Sequence, residues 1–174
     1  MNIRQVKIEF NAEQDRLLAR FATSDGAELR LWLTRRCVRL LWPILIKMAE
    51  TAPAIATQAA PEARKALLGM EHEKALAQAD FATPYKEGAA TYPLGAEPIL
   101  VARMNNSRSP EGQNVLTLLP REGQGLNLGL DYRLLHGITR LLQDAVAKAQ
   151  WDLPLVLPTG LGSVGDEGAP KLLN

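Results

Sequence analysis

One pattern occurs twice in this chain, 97 positions apart, and it restricts the fold more than any other feature. Leu29-Arg30-Leu31-Trp32-Leu33-Thr34 returns as Leu126-Asn127-Leu128-Gly129-Leu130-Asp131. Each copy alternates apolar with other residues and ends on a residue suited to cap a helix. The same offset places Gly26 on Gly123, Phe21 on Leu118, Arg36 on Arg133, Val38 on Leu135, Leu41 on Ile138 and Leu45 on Leu142. The likeness lies in periodicity and turn chemistry, so it argues for two similar structural units and not for a reaction.

A chain of 174 residues holds one well-formed core. The reading is a single compact domain over 1–174, with internal units at about 3–50 and 97–150, a connector at about 51–96 and a Pro/Gly-rich arm at about 151–174. In the first unit, Val6, Ile8 and Phe10 alternate against Lys7 and Glu9 as in a half-buried strand. A second strand runs from about Arg16 to Thr23, Asp25-Gly26 favours a tight hairpin, and Ala27 to Leu33 forms the third strand. Thr34 caps a helix to about Glu50 that buries Val38, Leu41, Leu45 and Met48. Pro43 lies inside it, lacks a backbone donor and predicts a kink or break.

The connector is Ala-rich. Pro61 to Phe81 reads as a helix with a thin stripe of Ala63, Leu67, Met70, Ala77 and Phe81, small enough to predict weak packing. His72, between Glu71 and Glu73, reads as an exposed polar position. The second unit opens near Glu97 with a strand through Ile99, Val101 and Arg103 that reads as central and buried. Asn105 to Gly112 reads as turn, Asn114 to Leu119 and about Gly125 to Leu130 as strands, and Asp131 caps a helix ending near Gln150. Leu155-Val156-Leu157 reads as an extended arm, and Gly160 to Asn174 as flexible.

The fold class that follows is α+β: two pseudo-symmetric βββα units, mainly antiparallel, covered by long helices, plus the Ala-rich connector helix. The element order resembles in outline the duplicated sheet-and-helix units of Whirly-type single-stranded nucleic acid binding proteins. Those units are built on four strands and this reading has three per half, so the resemblance implies architecture alone and carries over no residue.

Charge and motifs bound the function. The net charge is +1, which excludes the overall signature of a generic polyanion binder but not a local basic face. Cys37 is the only cysteine, so an internal disulfide and a multi-thiolate metal site are excluded. No apolar run approaches the roughly 20 residues of a membrane span, and the N-terminus lacks signal-peptide features; no membrane and a cytoplasmic location are expected. Gly123-x-Gly125-x-x-x-Gly129 is spaced one residue too long for a dinucleotide turn and reads as a hairpin with a strand glycine. His72 and His136 show no ligand spacing, and no nucleophile elbow occurs, so no catalytic residue, metal or cofactor is assigned.

One constellation stands out. If Leu17, Ala19, Phe21, Leu29, Leu31 and Leu33 face the core, alternation puts Lys7, Arg16, Leu18, Arg20, Arg30 and Trp32 on the opposite face. Arg35, Arg36 and Arg39 add a basic cluster on the following helix. Cations that track phosphates beside an indole that stacks bases are the ingredients of single-stranded nucleic acid binding. Glu9 and Glu28 share that face, and a solvated or subunit-covered sheet would carry the same residues. The first reading is therefore a non-enzymatic binding or assembly module with a protein partner or self-association. Single-stranded nucleic acid binding through the basic residues is the alternative, and a small-molecule enzyme with His136 and Tyr132 between the halves is the third.

Overall fold

The computed structural model describes residues 2–158, and the stretch Gly160 to Asn174, read as flexible, lies outside them. It has mixed α/β content, with two antiparallel-rich sheets and several helices. The first sheet contains β1 (Ile3–Asn11), β2 (Arg16–Thr23) and β3 (Glu28–Leu33), which leads into α1 (Arg35–Ala49). Two connector helices follow, α2 (Pro53–Ala56) and α3 (Pro61–Ala77). The chain then passes through β4 (Ile99–Leu100), β5 (Arg103–Arg108), β6 (Asn114–Leu119) and β7 (Leu126–Leu130) into α4 (Tyr132–Ala149).

β1, β2 and β3 form consecutive antiparallel pairs, and β4 adds in parallel beside β3. β5, β6 and β7 form the second sheet, also by consecutive antiparallel pairing. The two sheets are linked where the chain crosses between them: Val101 donates its N–H to the Trp32 carbonyl, and Ala102 donates to the Leu119 carbonyl. The segment read as one buried strand near Glu97 is thus divided between the sheets. Val101 is buried, whereas β5 is largely exposed because it lies at a sheet edge. β5 also takes residues 105–108 from the stretch expected to be turn; pairing with β6 outweighs the local preference of Asn-Asn-Ser, and the turn tightens to Ser109–Gln113.

Both long helices start as their caps dictate. Thr34 Oγ1 accepts from Cys37 N at 3.1 Å, and Asp131 Oδ1 accepts from Leu134 N at 2.7 Å. α1 runs through Pro43 without dividing, because that proline is on the solvent side where water can reach the freed carbonyl. Beyond α1, Asn114 Nδ2 donates to the Met48 carbonyl and to Thr51 Oγ1, tying the helix end to the start of β6.

Leu17, Ala19, Phe21, Leu29, Leu31 and Leu33 are buried, joined in one cluster by Leu116, Leu118, Leu126, Leu128 and Leu130 of the second sheet. Val38, Leu41 and Leu45 of α1 and Leu135, Ile138 and Leu142 of α4 complete it. α4 packs against β1, α1 and α3. α3 buries Leu68, His72 and Ala75, a stripe rotated away from the expected one; Met70 and Phe81 remain exposed. His72 is therefore not a solvent-facing position: spacing of i, i+4, i+7 puts it beside Leu68 and Ala75, against α4. None of the described helices is long and apolar enough to cross a membrane.

Candidate functional site

The strand register places Lys7 beside Arg20 and Arg20 beside Arg30, one cross-strand row on the outer face of the first sheet. Leu18 and Trp32 form the neighbouring row, and Arg16 pairs with Asn11 at the end of β2. Three cations in a row repel one another unless anions lie between them. Glu28 supplies the first: its carboxylate is 1% exposed and accepts from Arg20 at 2.9 Å, from Arg30 and from the Tyr85 hydroxyl at 2.7 Å. Burial alone pushes this carboxyl up, and the bonds from Arg20, Arg30 and Tyr85 more than offset it, so Glu28 stays below its ordinary value and ionised.

Glu87 supplies the second anion. It receives both terminal nitrogens of Arg20 and lies 3.6 Å from Lys7 Nζ. Lys7 also pairs with Glu9 at 2.9 Å. The segment 84–96 brings Glu87 here by lying across the sheet. Gln5 Nε2 donates to the Pro84 carbonyl, Lys86 N donates to Gln5 Oε1, and Glu28 N donates to the Thr91 carbonyl. Tyr85 lies over the Arg20 guanidinium at 4.6 Å and Tyr92 over that of Arg30 at 4.4 Å. Arg30 also donates to the Tyr92 hydroxyl at 3.0 Å and to the Ala96 carbonyl at 3.1 Å. Arg20 is consequently buried, and the rings that cover these cations come from the chain itself. Tyr85, Glu87 and Tyr92 were the residues that sequence reasoning missed. The signal for them is a loop in which two tyrosines, Tyr85 and Tyr92, lie either side of one glutamate, Glu87.

The rest of the basic set is placed differently. α1 contains Arg35, Arg36, Arg39 and Lys47 and no acidic residue. Arg35 donates to the Asp152 carbonyl at 2.9 Å, where the C-terminal arm passes; Trp42 Nε1 and Gln143 Nε2 hold the same arm at Val156 and Leu155. Arg36, Arg39 and Lys47 are exposed and make no salt bridge among the described residues. Positions 36, 40, 43 and 47 recur at helical spacing, so Arg36, Leu40, Pro43 and Lys47 share one solvent-facing stripe with Arg39 at its margin. Leu40 is 49% exposed.

A second polar cluster lies between α3 and α4. His72 Nδ1 and His136 Nδ1 are 2.9 Å apart in a buried contact, so one imidazole donates and the other accepts. His136 Nε2 is buried without a hydrogen-bond partner among the described residues. Burial lowers both imidazoles, and the neighbouring His72 adds to the effect at His136, which falls to about 4. Tyr132 stacks edge-on against His136 at 4.7 Å and donates to Glu71 Oε2 at 2.6 Å. Tyr132 also lines a groove of about 280 Å³ between the end of α1 and the β6, β7 and α4 segment, with Thr51, Arg108, Asn114 and Asp131.

Two sequence features are accounted for by structure. Cys37 is buried, and burial pushes its thiol up to about 12, far from thiolate chemistry at neutral pH. Gly123 takes φ +91°, and a Cβ on Gly125 would approach the Leu118 carbonyl to 2.2 Å. Both glycines therefore serve the β6–β7 hairpin. Comparison of the chain with protein-family models, with curated proteins and with solved structures found no match.

Proposed function

We propose that this protein is a non-enzymatic binding module that takes an acidic protein segment on the exposed face of α1. The observation that carries the reading is the division of charge. Lys7, Arg20 and Arg30 are already matched by Glu9, Glu28 and Glu87, whereas Arg36, Arg39 and Lys47 stand on a helix with no acid. Leu40 and Pro43 between them offer apolar area, and such a mixed stripe suits a partner that is acidic and amphipathic. Single-stranded nucleic acid is the alternative polyanion for these cations. It is less favoured because the α1 stripe carries no aromatic platform for bases, and Trp32 lies on the sheet.

The internal architecture is read as two pseudo-symmetric βββα units. The caps support this: Thr34 to Cys37 N and Asp131 to Leu134 N are equivalent bonds 97 positions apart. The offset also pairs buried residues, Val38 with Leu135, Leu41 with Ile138 and Leu45 with Leu142. A second functional reading, a small-molecule site between the halves, is favoured by the groove that Tyr132 lines. Copurification of a small molecule from that groove would raise it above the first.

The test is a titration of a labelled helical peptide with Glu and Leu at i, i+4 spacing, and of labelled single-stranded DNA, at low and near-physiological salt. The expected result is peptide binding that weakens with salt and falls at least tenfold in the Arg36→Ala/Arg39→Ala/Lys47→Ala variant. Tighter binding of DNA, lost in the same variant, would transfer the face to nucleic acid. Peptide binding unchanged in the variant would overturn the reading.

A further inference from the structure

Among the described residues, no strand pairs with the outer side of β5. Among the described elements it packs substantially against β6 alone, whereas β1, the corresponding first strand of the other sheet, packs against α4. Arg103, Asn105, Asn106, Ser107 and Arg108 are all exposed, and Met104 is half-buried. Asn106 pairs across from Leu116, which is buried, so its exposure reflects an open margin and not an outward-facing position. The Asn106 N–H is taken up by the side chain next to it, donating to Asn105 Oδ1 at 2.9 Å. A local bond of this kind satisfies a donor that has no strand to meet, and an incoming carbonyl can replace it.

Proteins close such edges with proline, bulges, short strands or charges directed along the strand. β5 has six residues, no proline, and a register with β6 that is unbroken over its whole length. Its only charges are Arg103 and Arg108 at the two ends, and β6 and β7 contain no charged residue. Glu111 and Glu122 lie in the turns beyond the strands, and no salt bridge joins them to either arginine. Among the described residues, both guanidinium groups donate to backbone carbonyls alone, Arg103 to Pro120 and Arg121, and Arg108 to Thr51.

We propose that β5 is a docking edge for an extended acidic peptide segment of another protein, which adds to the second sheet as a further strand. Backbone hydrogen bonds supply the affinity in this mode of recognition, and the flanking arginines select acidic residues at the ends of the segment. A second copy of the chain is the wrong occupant: two β5 strands side by side gather four guanidinium groups with no acid in either strand. This site is separate from the α1 stripe and stands or falls independently of it.

The experiment is hydrogen exchange on the full chain, alone and with a six-residue peptide alternating Val and Thr between terminal Glu residues, with affinities measured in parallel. Expected are fast exchange at Met104, Asn106 and Arg108, whose N–H groups face away from β6, in the free protein and at least tenfold slower exchange at Asn106 when the peptide is saturating. Asn106→Pro removes the edge donor while leaving the β6 side intact, and it should abolish binding with an unchanged circular dichroism spectrum. Arg103→Gln/Arg108→Gln, or a peptide with Lys in place of Glu, should bind at least tenfold more weakly, while the α1 triple variant binds as wild type. Protection of the Asn106 amide in the free protein, peptide binding that survives Asn106→Pro, equal affinity for the Lys peptide, or no binding would each overturn the proposal.

Discussion

His72 and His136, 64 positions apart, meet nitrogen to nitrogen in a buried contact that tolerates one proton between them. Glu71 and Glu73 on α3 and Tyr132 and Arg140 on α4 are the titratable groups around the pair, with Glu71 engaged by Tyr132. Unfolded, both imidazoles titrate near 6.5; folded, burial lowers them, His136 to about 4. Between those values the unfolded chain binds more protons, so stability is fully present above about pH 6.5 and is lost as pH falls toward 4. Urea unfolding across this range should show a loss on the order of a few kcal/mol. The His72→Leu/His136→Leu variant should lack that part of the slope, and parallel profiles for the two proteins would refute the assignment. This pair was illegible in the sequence because histidine spacing reports a site only within one helix, and here the partners come from two.

At the scale of elements, the best-read segments were those where periodicity and punctuation agreed. β2 spans Arg16–Thr23, α1 and α4 begin at the residues after Thr34 and Asp131, and α4 ends at Gln150, which takes the left-handed conformation. α3 was placed correctly at Pro61 but on the wrong face, since alanines give a helix no decisive stripe and the partner helix chooses which side is buried. Pro43 was expected to kink or divide α1, and it does not divide it. The missing hydrogen bond to the Arg39 carbonyl should still cost stability, so Pro43→Ala should raise it by about 2 kcal/mol, read as a higher melting temperature. A lower one would mean that the proline is needed for the path of α1.

Across the whole molecule, alternation specified which sheet faces meet in the core, and Leu17, Phe21, Leu31 and Leu33 are buried as that rule requires. It said nothing of what lies on the other face. Covering it took residues 84–96, more than fifty positions downstream, held by bonds that Gln5, Arg20 and Arg30 donate and by the bond that Glu28 accepts from Tyr85. The basic set therefore separates into cations paired within the fold and cations, Arg36, Arg39 and Lys47, that make no salt bridge among the described residues. Residue-resolved NMR on the full chain during addition of the acidic helical peptide tests this separation most directly. The account predicts shifts concentrated at Arg36, Arg39, Leu40 and Lys47, with the Arg20 and Arg30 guanidinium signals unmoved. Shifts centred on Arg20, Arg30 and Tyr85 while α1 stays silent would contradict it.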